Sequence, residues 1–381
     1  AMDVHGGKAV MMGPNNYLGN GYMATPIAIT VEGANILTRS LIIYGQGAIR
    51  CHPFVLRELH AAGDEDHDRG LIEFDDALFG HIGYAISNMA RSFTLALTHA
   101  KFSPVPLNTP TRRYYQNINR YSAAFALASD FAMLTLGGAL KKRELLSARL
   151  GDVLSSMYLA SCVLKHFENQ GRRATDLPLV EWSVRTLMYR AQESLHAFLR
   201  NFPNRPVAWI LRMFIFPRGR TYSSPSDEIG KKVVRLITTP GEARDRLSQF
   251  AYTTLEPGNP LGKLQEALEL AKEHAPLEKR LRQAYKEGLI ASEYLGLQID
   301  EAEKAQVISK AEGNSLRDFH DKVSALLDVD DFAADEFLRK GGDSTPAPAP
   351  KKAPRKKANK KPASRKKATR KKAAKKKTTK T

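Results

Sequence analysis

From residue 71 to residue 340, apolar positions recur at the three- and four-residue spacing of helices, and strand-like alternation is scarce. "FDDALFGHIGYAISNMARSFTLALTH" (Phe74–His99) keeps that spacing without a break, and "KFSPVPLNTPTRR" interrupts it with Pro104, Pro106 and Pro110. Tyr121–Glu168 reads as a long helical hairpin broken at Gly137-Gly138. "TPGEARDRLSQFA" opens on Thr239, Pro240 and Glu242, which predicts a capping box with proline at the first helical position. "DEAEKAQVISKAEGNSLRDFH" opens the same way, with Asp300 and Glu303 as the cap pair. Nearer the start, Gly13–Tyr22 reads as a loop. Ala34–Ile49 reads as a helix burying Ile36, Leu37, Leu41, Ile42 and Tyr44. The polar, turn-rich "AAGDEDHDRG" (Ala61–Gly70) marks a boundary. The expectation is an all-α chain: residues 1–60 form the end of one helical domain, and 71–340 form an additional helical domain.

Two apolar runs bear on membranes. Ser122–Leu140 has 19 residues and one charge, Asp130, so its length suffices to span a bilayer. Its alanines, Ser129 and glycine pair lower its hydrophobicity, and a charge near the middle is costly there; a buried core helix is expected. Val207–Phe216 is too short to span and is expected to fill the core. After Gly341-Gly342 comes a Pro/Ala linker, then a Lys-rich tail without a large apolar residue. Residues 341–381 cannot bury enough surface to offset the entropy of ordering, so they are expected to be disordered.

The net charge of +18 suggests a nucleic-acid binder until it is located. Residues 351–381 hold 17 of the 58 Lys and Arg and no acid, leaving 41 basic residues against 40 acidic ones elsewhere. The basicity therefore belongs to the tail and says nothing about the partner of the body. Two distant cysteines, Cys51 and Cys162, indicate neither a disulfide framework nor a structural metal, and fit a reducing compartment. No signal-peptide pattern opens the chain. It begins on Ala1 in mid-pattern, as a piece of a longer protein would.

"ITVEGANILTR" (Ile29–Arg39) sets one carboxylate, Glu32, among Ile29, Val31, Ala34 and Ile36. Packed, it would lose hydration and rise toward neutrality, as suits a general base; pointing to water from a helix start, it would do nothing. Arg39 reads as a structural ion pair or a phosphate contact. Cys51 and His52 are adjacent, so their side chains diverge and a catalytic dyad is not expected. His60 and His67 flank a solvated acidic loop, and Arg218 and Arg220 sit in a basic loop that an anion could meet.

Several stretches occur in one order: "AMDVHGG" (Ala1–Gly7), "EGANILTRS", "IRCHPFVL", "RYYQNINRYSA", "SARLGDVLSSMYLASCVLK", "TDLPLVEW", "NFPNRPVA" and "IFPRGR". Together they resemble the C-terminal portion of acyl-CoA dehydrogenases, closest to the large bacterial type that acts in fatty-acid β-oxidation and carries an extra helical C-terminal domain. The resemblance runs from Ala1 to about residue 330. It implies FAD as cofactor, with Glu32 as the base that takes the α-proton of a fatty acyl-CoA and with Gly33 letting the backbone approach the thioester. Gly6 and Gly7 would lie against the nucleotide end of FAD, and Asn35 would lie in the segment passing the flavin. Two positions depart from many relatives: Ala34 stands where Thr is common, and Asp3 where Gln is common.

The implied reaction yields a trans-2-enoyl-CoA and passes electrons to an electron-transfer flavoprotein; the chain is expected to be inactive alone, with a homodimer as one arrangement of its parent. The implied location is cytoplasmic, peripheral at the inner face of the bacterial inner membrane. The tail has three readings: an anionic membrane surface, nucleic acid bound by counterion release, or no partner. The alternative for the whole chain is a helical nucleic-acid-associated protein binding through a histone-like tail.

Overall fold

In the computed structural model, side chains three and four residues apart converge on shared interiors, and every regular element among the described residues is a helix. The structure describes residues 1–11, 16–31, 36–105 and 110–327; the linker and tail expected over 341–381 lie outside them. The description falls within one compact unit, Ala1–Asp330.

The first part is made of short helices, α1 (Met2–His5), α2 (Gly19–Ala24) and α3 (Ala28–Val31). Where the sequence predicts a loop over Gly13–Tyr22, α2 starts at Gly19. Buried Asn16 organises its entry: its Oδ1 accepts from the amides of Leu18 (3.1 Å) and Gly19 (2.9 Å). Ile36–Gln46 is wound as a π-helix, followed by α4 (Gly47–Arg50). Tyr44 is buried as predicted, but the wider i→i+5 winding sets Ser40 inside with it and leaves Leu37 and Ile42 exposed, which corrects the predicted stripe at those two positions. Then come α5 (Val55–Ala62) and the 31-residue α6 (His67–Leu97), joined by a turn in which Asp66 caps α6 by accepting from the Arg69 amide.

The predicted hairpin is present as α7 (Arg112–Leu136) and α8 (Glu144–Asn169), broken at Gly137, whose φ of 47° favours glycine. With α9 (Leu177–Arg200) and α10 (Arg205–Ile215) they build the main core. Leu150, Val153, Met157, Ala160 and Leu164 of α8 and Val184, Met188, Ala191, Leu195 and Phe198 of α9 are buried in it. Each fully buried leucine contributes about 1.5–3 kcal/mol. From α7 come Ala124, Leu127, Ala128 and Ala132. Arg112–Lys142 is long and apolar enough to cross a membrane by length and composition, but here it packs as a core helix, as expected. Helix α10 buries only one face: Ala208, Leu211 and Ile215 are inside, while Trp209, Ile210 and Met213 are exposed.

Beyond α11 (Asp227–Thr238) and α12 (Glu242–Ser248) lies a second cluster on α13 (Pro260–Lys286), α14 (Leu295–Lys304) and α15 (Lys310–Leu327), centred on Leu281, Ile299, Ile308 and Leu316. Both predicted caps are corrected. Thr239 ends α11 in extended backbone, and Gly241 takes the cap position of α12. Asp300 and Glu303 lie inside α14, where both pair with Arg317 of α15.

Candidate functional site

Asp130 is the lone charge in the apolar run of α7, and the fold leaves it 5% exposed. A carboxylate so placed requires a partner. His52 supplies it from the turn between α4 and α5: its Nε2 lies 2.9 Å from Asp130 Oδ1. Its Nδ1 accepts from the amides of Phe54 (3.2 Å) and Val55 (3.1 Å), at the start of α5. An acceptor Nδ1 puts the proton of a neutral ring on Nε2; that nitrogen is close to Asp130 Oδ1 but outside hydrogen-bond geometry, so the contact is an electrostatic one.

Around this pair the aromatic residues interlock. His81 of α6 lies 4.5 Å from His52 between ring centroids, and its Nδ1 is 2.8 Å from Glu58 Oε1 of α5. Tyr84 meets His52 edge-on, and Phe54 stacks on His81. Gly80 allows this: a Cβ there would stand 2.4 Å from Phe54 Cε1. Beside the pair opens a cavity of about 270 Å³ lined by Tyr44, His52, Tyr84, Phe125, Asp130 and Met133, among others. Asp130 Oδ2 is buried without a hydrogen-bond partner. Burial holds the Tyr44 phenol well above its usual range, against an opposing pull from its contact with Ser129 and with a smaller push from the Asp130 charge.

Ligand atoms of His52, His81 and Asp130 lie within 4.8 Å of one another, a spacing a cation could use. The two amides on His52 Nδ1 oppose that use, because they leave a proton rather than a lone pair toward the centre. The arrangement is a histidine–carboxylate clasp beside an apolar cavity, able to accept one hydrogen bond from a polar ligand through Oδ2.

Of the residues singled out from the sequence, Glu32, Gly33 and Asn35 lie outside the described residues. Gly6 ends α1 with φ 57°, and Gly7 follows in a 3₁₀ turn. Arg39 pairs with Asp152 of α8 at 2.5 Å, the structural reading. Cys51 is exposed and His52 turns inward, so they form no dyad. His60 and His67 are exposed. Arg220 pairs with Glu193, whereas Arg218 donates to the Leu97 carbonyl (3.2 Å) and has no ion pair among the described residues. Sequence reasoning missed His81, Glu58 and Tyr84. The available signal was Asp130 itself, a charge inside an apolar helix.

Residues 49–332 match the family described as acyl-CoA dehydrogenase, C-terminal, bacterial type, over about three quarters of the chain. No solved structure matches the chain.

Proposed function

This chain belongs to the bacterial-type acyl-CoA dehydrogenase C-terminal family, and from that premise we propose that it is the C-terminal part of a flavin-dependent enzyme oxidising fatty acyl-CoA to trans-2-enoyl-CoA in β-oxidation. The observation that carries the reading is the match over residues 49–332. The resemblance of Ala1–Leu56 supplies the chemistry. Glu32 removes the α-proton, and its backbone N–H, with Gly33 allowing close approach, holds the thioester carbonyl.

Gly6 and Gly7 leave room for a cofactor contact: a Cβ at either position would meet nothing within 4 Å, and at Gly6 the φ of 57° by itself favours glycine. These glycines and Asn35 would hold FAD, which when bound supplies the hydride acceptor that side chains lack.

The base needs a dry surrounding. Ile29, three residues before Glu32 in the sequence, is 77% exposed, and Val4, Ile27 and Leu37 are also more than half exposed. Such a surface supports further protein covering residues 1–60 in the active enzyme, with 71–340 as an added helical domain and this chain inactive alone. Electrons pass onward to an electron-transfer flavoprotein, and the parent enzyme pairs as a homodimer. The enzyme works in the cytoplasm at the inner face of the membrane, where the tail adds roughly 1 kcal/mol per basic residue on anionic lipid.

The test is anaerobic addition of a long-chain acyl-CoA to a protein carrying this chain together with its flavin-binding part. Flavin bleaching with formation of the 2-enoyl-CoA supports the reading; an unchanged flavin spectrum with bound acyl-CoA rejects it.

A further inference from the structure

The end of α6, the start of α7 and the segment after α10 enclose a cleft of about 520 Å³, lined by His99, Lys101, Arg113, Arg185, Thr221 and Ser223 among others. Its walls carry cations with little counter-charge. Arg113 spends its guanidinium on neutral acceptors, the His99 carbonyl (2.9 Å) and the Gln116 side-chain oxygen. Among the described residues, Lys101 and Arg218 make no ion pair, and only Arg185 of the lining cations has an acid, Glu181 at 3.1 Å one turn back.

Behind the wall stands Arg120, 2% exposed. Its Nη1 donates to Thr221 Oγ1 (3.0 Å), while its Nη2 is buried with no hydrogen-bond partner. The hydroxyl of Tyr222, which lines the same cleft, is also buried and unpartnered. A buried guanidinium without a carboxylate is costly in a folded chain. Helix α7 adds to the imbalance: its first turn holds Arg113 and no acid, the reverse of what the positive end of a helix favours. Burial, then the charges of Arg120, Arg218, Lys101 and Arg113, hold the His99 imidazole below its usual range, the direction that neighbouring cations impose.

We infer that this cleft binds a phosphate-bearing anion, gripped by Lys101, Arg113 and Arg185 with the Thr221 and Ser223 hydroxyls as further donors. Guanidinium groups offer a phosphate paired N–H donors. A tetrahedral anion can take donors from several walls at once, and the cleft is larger than one phosphate group, leaving room for the rest of an ester. The source is either a soluble nucleotide-type phosphate or a phospholipid headgroup. The inference rests on the cleft alone and goes beyond the oxidation chemistry.

The test uses the whole chain, with inorganic phosphate and adenosine 3′,5′-bisphosphate as soluble probes in calorimetry and phosphatidic-acid vesicles as the lipid probe in flotation, at fixed salt. Two variants are compared with the parent: the double change Arg113→Gln with Arg185→Gln, and Ser223→Asp, which sets a carboxylate on the exposed lining. All keep the basic tail, so its diffuse attraction for anions is common to them. The expected result is saturable binding of at least one probe by the parent, weakened about tenfold or more in each folded variant. A response to the soluble probes identifies a nucleotide-type ligand, and a response to vesicles alone identifies a headgroup. Equal binding by parent and variants, or no saturable binding of any probe, overturns the inference. Circular dichroism checks folding, and Ser223→Asp decides if the double variant does not fold.

Discussion

Nε2 of His52 lies 2.9 Å from Oδ1 of Asp130, with only 6% and 5% of the two side chains exposed. This contact ties the turn before α5 to the middle of α7. His52→Ala leaves a buried carboxylate without a counterpart and is expected to cost about 3–5 kcal/mol of stability in urea unfolding. His52→Ala combined with Asp130→Ala removes the pair together and should cost at least about 1 kcal/mol less than the sum of the two single changes. Strictly additive losses would show that the two side chains do not interact.

Gly262, in the first turn of α13, faces the backbone of the preceding loop. A Cβ there would stand 2.2 Å from the Thr254 carbonyl oxygen and 2.7 Å from its carbon. Asn259 holds that loop in place. Its Nδ2 donates to the carbonyls of Tyr252 (3.0 Å) and Thr254 (2.9 Å), and its Oδ1 accepts from the Leu261 amide (3.1 Å). Gly262→Ala is expected to lose about 1–3 kcal/mol in thermal denaturation, and Asn259→Ala about 1–2 kcal/mol. A neutral Gly262→Ala would mean that the loop yields freely.

Glu312 closes a capping box on α15: its carboxylate accepts from the Ser309 amide (2.7 Å), and Ser309 Oγ accepts from the Glu312 amide (3.3 Å). The Arg280 side chain, then the Ser309 amide, pull its pKa down from 4.5 to about 2. A depressed carboxylate contributes stability that is present above its unfolded value and is lost as pH falls through the folded one. The stability of the parent should therefore decline between about pH 4.5 and 2 more steeply than that of Glu312→Gln, and the difference should be constant above about pH 5. Identical acid limbs in the two melting series would contradict this.

The helices α6 to α8 were legible because their apolar spacing matches the faces they bury, and Gly137-Gly138 marked the break between α7 and α8. The caps misled. Thr239–Glu242 has the residue types of a capping box, but Gly241 takes the cap position. Asp300 and Glu303 serve Arg317 rather than an amide end. The π-winding of Ile36–Gln46 changes which side chains are buried while leaving no residue-type signature. Asp130 announced that a partner must exist, but no spacing rule connects it to His52 in a distant turn. The cationic cleft was not visible: Arg113 and Arg185 reach it from α7 and α9, which only folding brings together, and Arg218, which stood out in its loop, is not among its lining residues.

The central claim is that Glu32 is the base of an acyl-CoA dehydrogenase. It is tested most directly by Glu32→Gln in the flavin-loaded parent enzyme, mixed anaerobically with a long-chain acyl-CoA in a stopped-flow spectrometer. The account predicts that the variant still binds flavin and acyl-CoA but leaves the flavin oxidised on the timescale at which the parent bleaches. Bleaching by the variant at the rate of the parent would contradict it.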